Sequence, residues 1–297
     1  MIEEGLTILS YGAGQDSTTI LYAIMHNPEF REKYVHGHLM VIMSDTGDEH
    51  PETYEHIKFT ENLCNEHGIS FTFLTKDKGF HGRTWQSLKE RYRLNNCIGS
   101  KAYPKSCTSN LKINVLYRFI DQYIGTSLGI RYGSKQAIKE YARRYGKIRV
   151  LIGFTKGEEG RRANPEKDQV WMRTSVERQY PLIDIGYDRG ACQKYIKRLG
   201  YPVPLPSNCM ICPFMSEQEL LYLYKFHRAD YDEWVELERN KIEAWKDKCE
   251  PKKNFGVWGI KLLPEVLNRA IEKYGHWTDD QLREYKMSHG HCIKSQY

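Results

Sequence analysis

Two sets of residues in this 297-residue chain have types and spacing suited to chemistry. The first is a run of glycines, hydroxyls and a carboxylate: Ser10, Tyr11, Gly12, Ala13, Gly14, Gln15, Asp16, Ser17 and Thr18. It leaves a β-prone stretch and opens a helical one. Glycines let the backbone approach an anion, and a new helix points unpaired N–H groups at it. No Gly-Lys-Ser/Thr follows, so this is not a Walker loop, nor is it a dinucleotide fingerprint. Taken alone, an ordinary glycine-rich strand-to-helix turn fits the run about as well. The second set is Cys209-Met210-Ile211-Cys212-Pro213. A two-residue spacer lets both thiolates face one metal or cluster, and a redox dithiol uses the same spacing. Cys97 and Cys107 are candidates for the other half of a site.

These residues need elements to hold them. Leu6 to Ser10 is β-prone and breaks into the glycine run, and residues 18–25 read as a helix. Residues 39–43, 69–74 and 150–154 read as further strands. Residues 51–67 and 110–123 read as helices, with Pro51 suited to a first turn. Strands alternating with helices predict parallel βαβ units. The expected fold class is therefore α/β, a doubly wound and mostly parallel sheet with a smaller, mainly helical C-terminal part. Residues 1–185 are expected to form the nucleotide-binding domain. Residues 186–297 form the helical region that carries the cysteine pair, with one or two amphipathic helices over 217–246.

Composition narrows the setting. The chain is 40% hydrophobic and 28% charged, with a formal net charge of +6, a mild excess that suits an anionic ligand without requiring one. No run approaches the roughly 20 apolar residues of a membrane span. Residues 1–5 carry two glutamates, unlike a signal peptide. Eight cysteines in such a chain favour metal ligation or catalysis in a reducing compartment over disulfides, so a cytoplasmic location without membrane attachment is expected. Arg83, Arg91, Arg93, Lys101 and Lys105, interleaved with Trp85, Tyr92 and Tyr103, are either a solvated helix face or a surface for a phosphate backbone. The cluster over residues 139–147, with Arg143 and Arg144, leaves the same two readings.

The stretch from Ser10 to Ser17 resembles the PP-loop of the ATP pyrophosphatase and sulfonucleotide reductase superfamily, written Ser-Gly-Gly-x-Asp-Ser. Gly12 stands where that motif has its first Ser, and Ala13 replaces a Gly. The stretch Asp45-Thr46-Gly47-Asp48-Glu49-His50-Pro51-Glu52-Thr53 resembles the Asp-Thr-Gly-x-x-x-Pro-Glu-Thr signature of phosphoadenosine phosphosulfate (PAPS) reductases. Gly153 to Arg162 is similar to the superfamily's Gly-x-x-x-x-Glu-x-x-Arg segment, with Glu158 and Arg161 in its charged positions and Arg162 directly after. Cys107 to Lys112 resembles the Cys-Cys-x-x-x-Lys stretch that accompanies an iron–sulfur cluster, with Thr108 in place of the second Cys.

The resemblance implies a PP-loop (HUP-like) fold that binds an adenine nucleotide, ATP or a sulfonucleotide, with Mg²⁺. Ser10, Gly12, Ala13, Gly14, Gln15, Ser17, Thr18, Asp45, Thr46, Gly47, Gly153 and Glu158 would contact the nucleotide. Asp16, Arg161, Arg162 and Cys107 would act in catalysis. Cys107, Cys209 and Cys212, with Cys97 as a fourth, would hold a 4Fe–4S cluster, or Zn²⁺ as the alternative. The implied activity is ATP-dependent sulfur transfer: adenylation of an acceptor, tRNA or DNA, then thiolation. Alternatives are a true sulfonucleotide (PAPS) reductase releasing sulfite and a non-catalytic nucleotide-bound adaptor. The reductase needs a nucleophile near the C-terminus. Cys292 lacks the Glu-Cys-Gly setting of that family, so it is not assigned the role. A homodimer is one assembly open to such a chain.

Overall fold

The structure is a computed structural model that describes residues 2–289. Its centre is a five-stranded sheet with all neighbouring strands parallel, in the order β3-β2-β1-β4-β5. The strands are β1 (Leu6–Ser10), β2 (His38–Ser44), β3 (Ser70–Leu74), β4 (Ile148–Ile152) and β5 (Val176–Gln179). In β1 and β2 nearly every residue is buried, so they read as continuous apolar runs, as strands covered on both faces must. The expected α/β fold, doubly wound with a parallel sheet, is the one observed. β5 (Val-Glu-Arg-Gln) lies at the sheet edge and carries too little apolar pattern to be read from sequence.

Helices cover both faces. Gln15–His26 is buried along nearly its whole length because it lies between the sheet and the helix Arg189–Arg198, whose Cys192 and Ile196 join the same core. Asn114–Leu128 and Gln136–Tyr145 close the other face through Val115, Ile120, Ile124 and Ile138. Each such aliphatic side chain contributes roughly 1.5–3 kcal/mol by leaving water.

A second core gathers around Trp234, which is fully buried. It joins Glu217–Phe226, Arg228–Trp245, Leu263–Tyr274 and Asp279–His289 to Leu88, Tyr92, Ile98 and Leu111 from the first half of the chain. The two cores therefore interleave in sequence. A capping box at Ser216 and Glu219 starts the first of these helices. Buried Glu238 accepts the Val257 and Leu263 N–H groups at 2.7 and 2.6 Å, which pins the loop between them. Among the described residues, no helix is long and apolar enough to cross a membrane.

Candidate functional site: a phosphate loop beside a cysteine triad

The sheet order reverses at β1, which pairs with β2 on one side and β4 on the other. In open α/β sheets ligands settle at such a switch point, beyond the carboxyl ends of the strands. The loop after β1 and Gly153 after β4 meet there. A Cβ on Gly153 would lie 2.9 Å from the Ser17 nitrogen, so only glycine lets the exit of β4 pack against the new helix. Gly14 is equally constrained, since a Cβ there would lie 2.7 Å from the Ser207 nitrogen. Ala13 takes a left-handed conformation at φ 55°, unusual for a residue with a side chain. No side chain caps the helix at Gly14, which leaves its first N–H groups available to an anion.

Ser10, Gly12, Gly14, Gln15, Asp16, Ser17, Gly153 and Arg161 line one cleft, together with Ser44, Thr108, Lys112 and Ser207. Ser17 Oγ accepts the Gly12 N–H at 3.1 Å. The Oδ1 atom of Asp16 is buried with no hydrogen-bond partner. Desolvation, then the nearby Glu158 carboxylate, raises the Asp16 pKa to about 7 against the opposing pull of Arg189 and Arg161. An unpartnered buried carboxylate oxygen at a glycine-rich helix start fits a Mg²⁺–nucleotide complex, whose cation would draw off the proton.

The other sequence-read residues divide. Glu158 accepts from the Thr155 N–H and hydroxyl, both at 3.0 Å, from Arg161, and from Arg189 at 2.8 Å. Burial alone would raise its pKa, but these donors outweigh it and hold the carboxyl below its usual range. It positions Arg161, which also lies over the Phe154 ring. Arg162 instead lies over Tyr180 and is not part of the cleft lining. The Gln15 side chain turns to the Pro204 and Met287 carbonyls at 3.0 and 2.8 Å, so it anchors the loop to C-terminal segments. Thr18 bonds Tyr11 and His56 within the core.

Asp45, Thr46 and Gly47 follow β2 and stand outside the cleft lining. Asp45 Oδ1 accepts the Gly47 N–H at 2.8 Å and the Tyr54 hydroxyl at 2.9 Å, which fixes the turn. Thr46 lies between the turn and the cysteines: its hydroxyl donates to Glu49 Oε1 at 3.0 Å, and the Cys209 thiol donates to Thr46 Oγ1 at 3.3 Å.

Cys107 precedes a π-helical turn, Thr108–Ile113, that runs into Asn114–Leu128. π-turns are rare and concentrate at functional sites. This one places Thr108 and Lys112 in the cleft. Desolvation, then the Glu49 carboxylate, pushes the Cys209 thiol well above the usual range against the opposing pull of Lys112, with Cys212 and Cys107 adding to the rise. Tyr92 feels Cys107, Cys212 and Cys209 together, and its hydroxyl fits only because residue 99 is glycine, where a Cβ would lie 2.2 Å away. Cys107, Cys209 and Cys212 thus share one place. Cys97 bonds the Arg91 carbonyl through its thiol at 3.4 Å and lines the adjoining cavity with Cys107, Arg91 and Lys105. Cys212 is buried and Cys107 and Cys209 are half-buried. The three thiols are not drawn together to within 4.8 Å, the spacing that one ion would need, so the group fits the wider span of a thiolate-bound cluster better than a single ion. Cys292 lies outside the described residues.

The sequence reading missed Glu49, Lys112 and Ser207 as site residues. Lys112 Nζ lies 3.6 Å from the fully buried Glu49 Oε1, and Lys112 also lines the cleft, so one ion pair links the Cys209 surroundings to the cleft at the glycine loop. Both residues stood inside motifs already noted, but only the fold brings them together.

No family model and no curated protein matches the chain. Among solved structures it is similar to the PAPS reductase of Candida auris, in a phosphate complex, at 14% identity and a TM-score of 0.36, over 67% of this chain and 74% of that one. It is also similar to the U34-tRNA thiolase NcsA of Methanococcus maripaludis with its 4Fe–4S cluster, at 14% identity and a TM-score of 0.40, over 93% of this chain and 74% of that one.

Proposed function

We propose that the protein is an ATP-dependent sulfur-transfer enzyme that adenylates an acceptor and then thiolates it. The observation that carries this reading is the contact between its two sites. Lys112 lines the nucleotide cleft and pairs with Glu49, which lies beside Cys209. A nucleotide's reactive phosphate and a sulfur held at the cysteines would meet at this junction.

In the first step an acceptor oxygen attacks the α-phosphorus of ATP, the bond to the β-phosphate oxygen breaks, and pyrophosphate leaves. Backbone N–H groups of residues 14–17 and the Arg161 guanidinium stabilise the charge that develops. Asp16 would help to hold Mg²⁺, which would supply the charge that orients the phosphates. In the second step a sulfide-level sulfur bonds to the acceptor carbon, the carbon–oxygen bond breaks, and AMP departs. A cluster on Cys107, Cys209 and Cys212 would supply a site that holds and presents that sulfur. Lys112 supplies positive charge where AMP leaves. Arg91, Lys105, Trp85 and Tyr103 around the cavity next to Cys107 favour a nucleic acid as the acceptor, tRNA or DNA, through phosphate contacts and base stacking.

The test is product analysis under anaerobic conditions with ATP, Mg²⁺, sulfide and either bulk tRNA or DNA. The reading requires AMP and pyrophosphate in equal amounts, formed only with the acceptor, and sulfur in the acceptor. Sulfite released from PAPS, and lost on Cys292→Ser, would make the protein a reductase instead. Nucleotide binding with neither product would leave it an adaptor.

A further inference from the structure

Directly after Glu49 in sequence begins a second group of ligating side chains that the reaction above does not use. His50, Glu52 and His227 each offer one donor atom, and the three donors lie within 4.8 Å of one another. His50 is the cap residue before the helix Pro51–Glu66, and Glu52 lies in its first turn. His227 sits between the helices Glu217–Phe226 and Arg228–Trp245. The group therefore joins the sheet's second crossover to the C-terminal core.

The histidines are where buried polar groups should be satisfied and are not. His50 is only 2% exposed, yet neither of its ring nitrogens has a hydrogen-bond partner. Nε2 of His227 is likewise buried and unpartnered. The two rings stand 5.3 Å apart at 67°, and each also lies against Tyr222. A buried polar group without a partner costs about 1–3 kcal/mol, so two such rings, each with a donor atom within 4.8 Å of the other's, call for a missing partner. A water would satisfy one or two of these nitrogens. A cation takes one nitrogen from each ring, leaving the second His50 nitrogen to carry the proton, and also takes the charge of Glu52, whose exposed position opens the site to solvent.

We propose that His50, Glu52 and His227 form a binding site for a divalent transition-metal ion, Zn²⁺ being the ion that this donor set favours. Two imidazoles and one carboxylate are a recognised zinc set, with ligand distances near 2.0–2.2 Å and room for a solvent ligand. In tetrahedral geometry donors at that distance are roughly 3.4 Å apart, so side-chain rotations of about an ångström close the triad. Lys286 is a charged neighbour of His50. The Lys286 charge is itself met by Glu219 Oε1 at 3.2 Å, and its ammonium donates to Asn208 at 2.6 Å. The ion clamps the segment carrying Glu49 and His50 to the helical core. It thereby holds the Glu49–Cys209 contact in place without taking part in the chemistry.

The site is tested by loading chelator-treated full-length protein with Zn²⁺ and counting bound zinc, with X-ray absorption to identify the donors. The cysteines are a competing site, so the measurement is made in a Cys107→Ser/Cys209→Ser/Cys212→Ser background as well as in the unaltered chain. The proposal expects one equivalent in the triple variant, with nitrogen and oxygen donors near 2.0–2.1 Å and no sulfur near 2.3 Å. Adding His50→Ala should abolish it. Adding Glu52→Gln, an exposed change that leaves the fold intact, should weaken zinc binding at least about tenfold, the scale seen even for loss of an outer-shell partner. Zinc should raise the unfolding temperature of the unaltered chain more than that of the Glu52→Gln variant. Absence of zinc from the folded triple variant would overturn the proposal, as would zinc bound equally well with or without Glu52→Gln.

Discussion

Asp16→Asn probes the electrostatics of the phosphate loop through stability, independently of turnover. Unfolded, Asp16 ionises near its ordinary value of 3.8, whereas in the fold it does so at about 7. Between those values the folded state holds a proton that the unfolded chain has lost. The stability that Asp16 contributes is therefore complete below 3.8 and is lost as pH rises through 7. At about 1.4 kcal/mol per pH unit, the loss reaches about 4 kcal/mol. Asparagine is nearly isosteric and has no charge to desolvate, so it removes this dependence. In urea unfolding with a chelator present, Asn should be more stable than Asp by up to about 4 kcal/mol at pH 8 and indistinguishable from it at pH 4. The same variant should lose the Mg²⁺-dependent affinity for ATP. A stability difference that is equal at pH 4 and pH 8 would show that Asp16 is not desolvated as described.

Gly14→Ala should raise the Kd for a fluorescent ATP analogue at least tenfold, about 1.4 kcal/mol, because the new Cβ would strike the backbone of Ser207. Lys112→Met should destabilise the protein by about 3–5 kcal/mol, the cost of leaving a buried charge without its partner. Adding Glu49→Gln should restore most of that in urea unfolding while ATP affinity stays reduced, since Lys112 also lines the cleft.

What the sequence disclosed followed from local pattern. β1 to β4 and the helices after β1 and β2 were legible because their apolar runs and glycine breaks are local signals. The run at residues 110–123 was read as one helix, but the structure opens it with the π-turn Thr108–Ile113. A π-turn carries one extra residue per turn and leaves no separate mark in composition. The phosphate loop and the cysteine pair were visible in type and spacing. Lys112, Glu49 and Ser207 were not, because their roles depend on long-range closure that no local spacing encodes. Gln15 shows the opposite error: it lies in the loop motif, yet its side chain bonds the Met287 carbonyl, 272 residues away. His50 and His227 are likewise distant in sequence, and only folding brings their rings together.

The central claim is that Cys107, Cys209 and Cys212 place sulfur chemistry beside the nucleotide. Iron and acid-labile sulfide analysis of anaerobically purified protein, with its visible spectrum, tests this most directly. The account predicts iron and sulfide in the unaltered chain, lost in Cys209→Ser with nucleotide binding retained. Zinc at the cysteines with no iron or sulfide would contradict it.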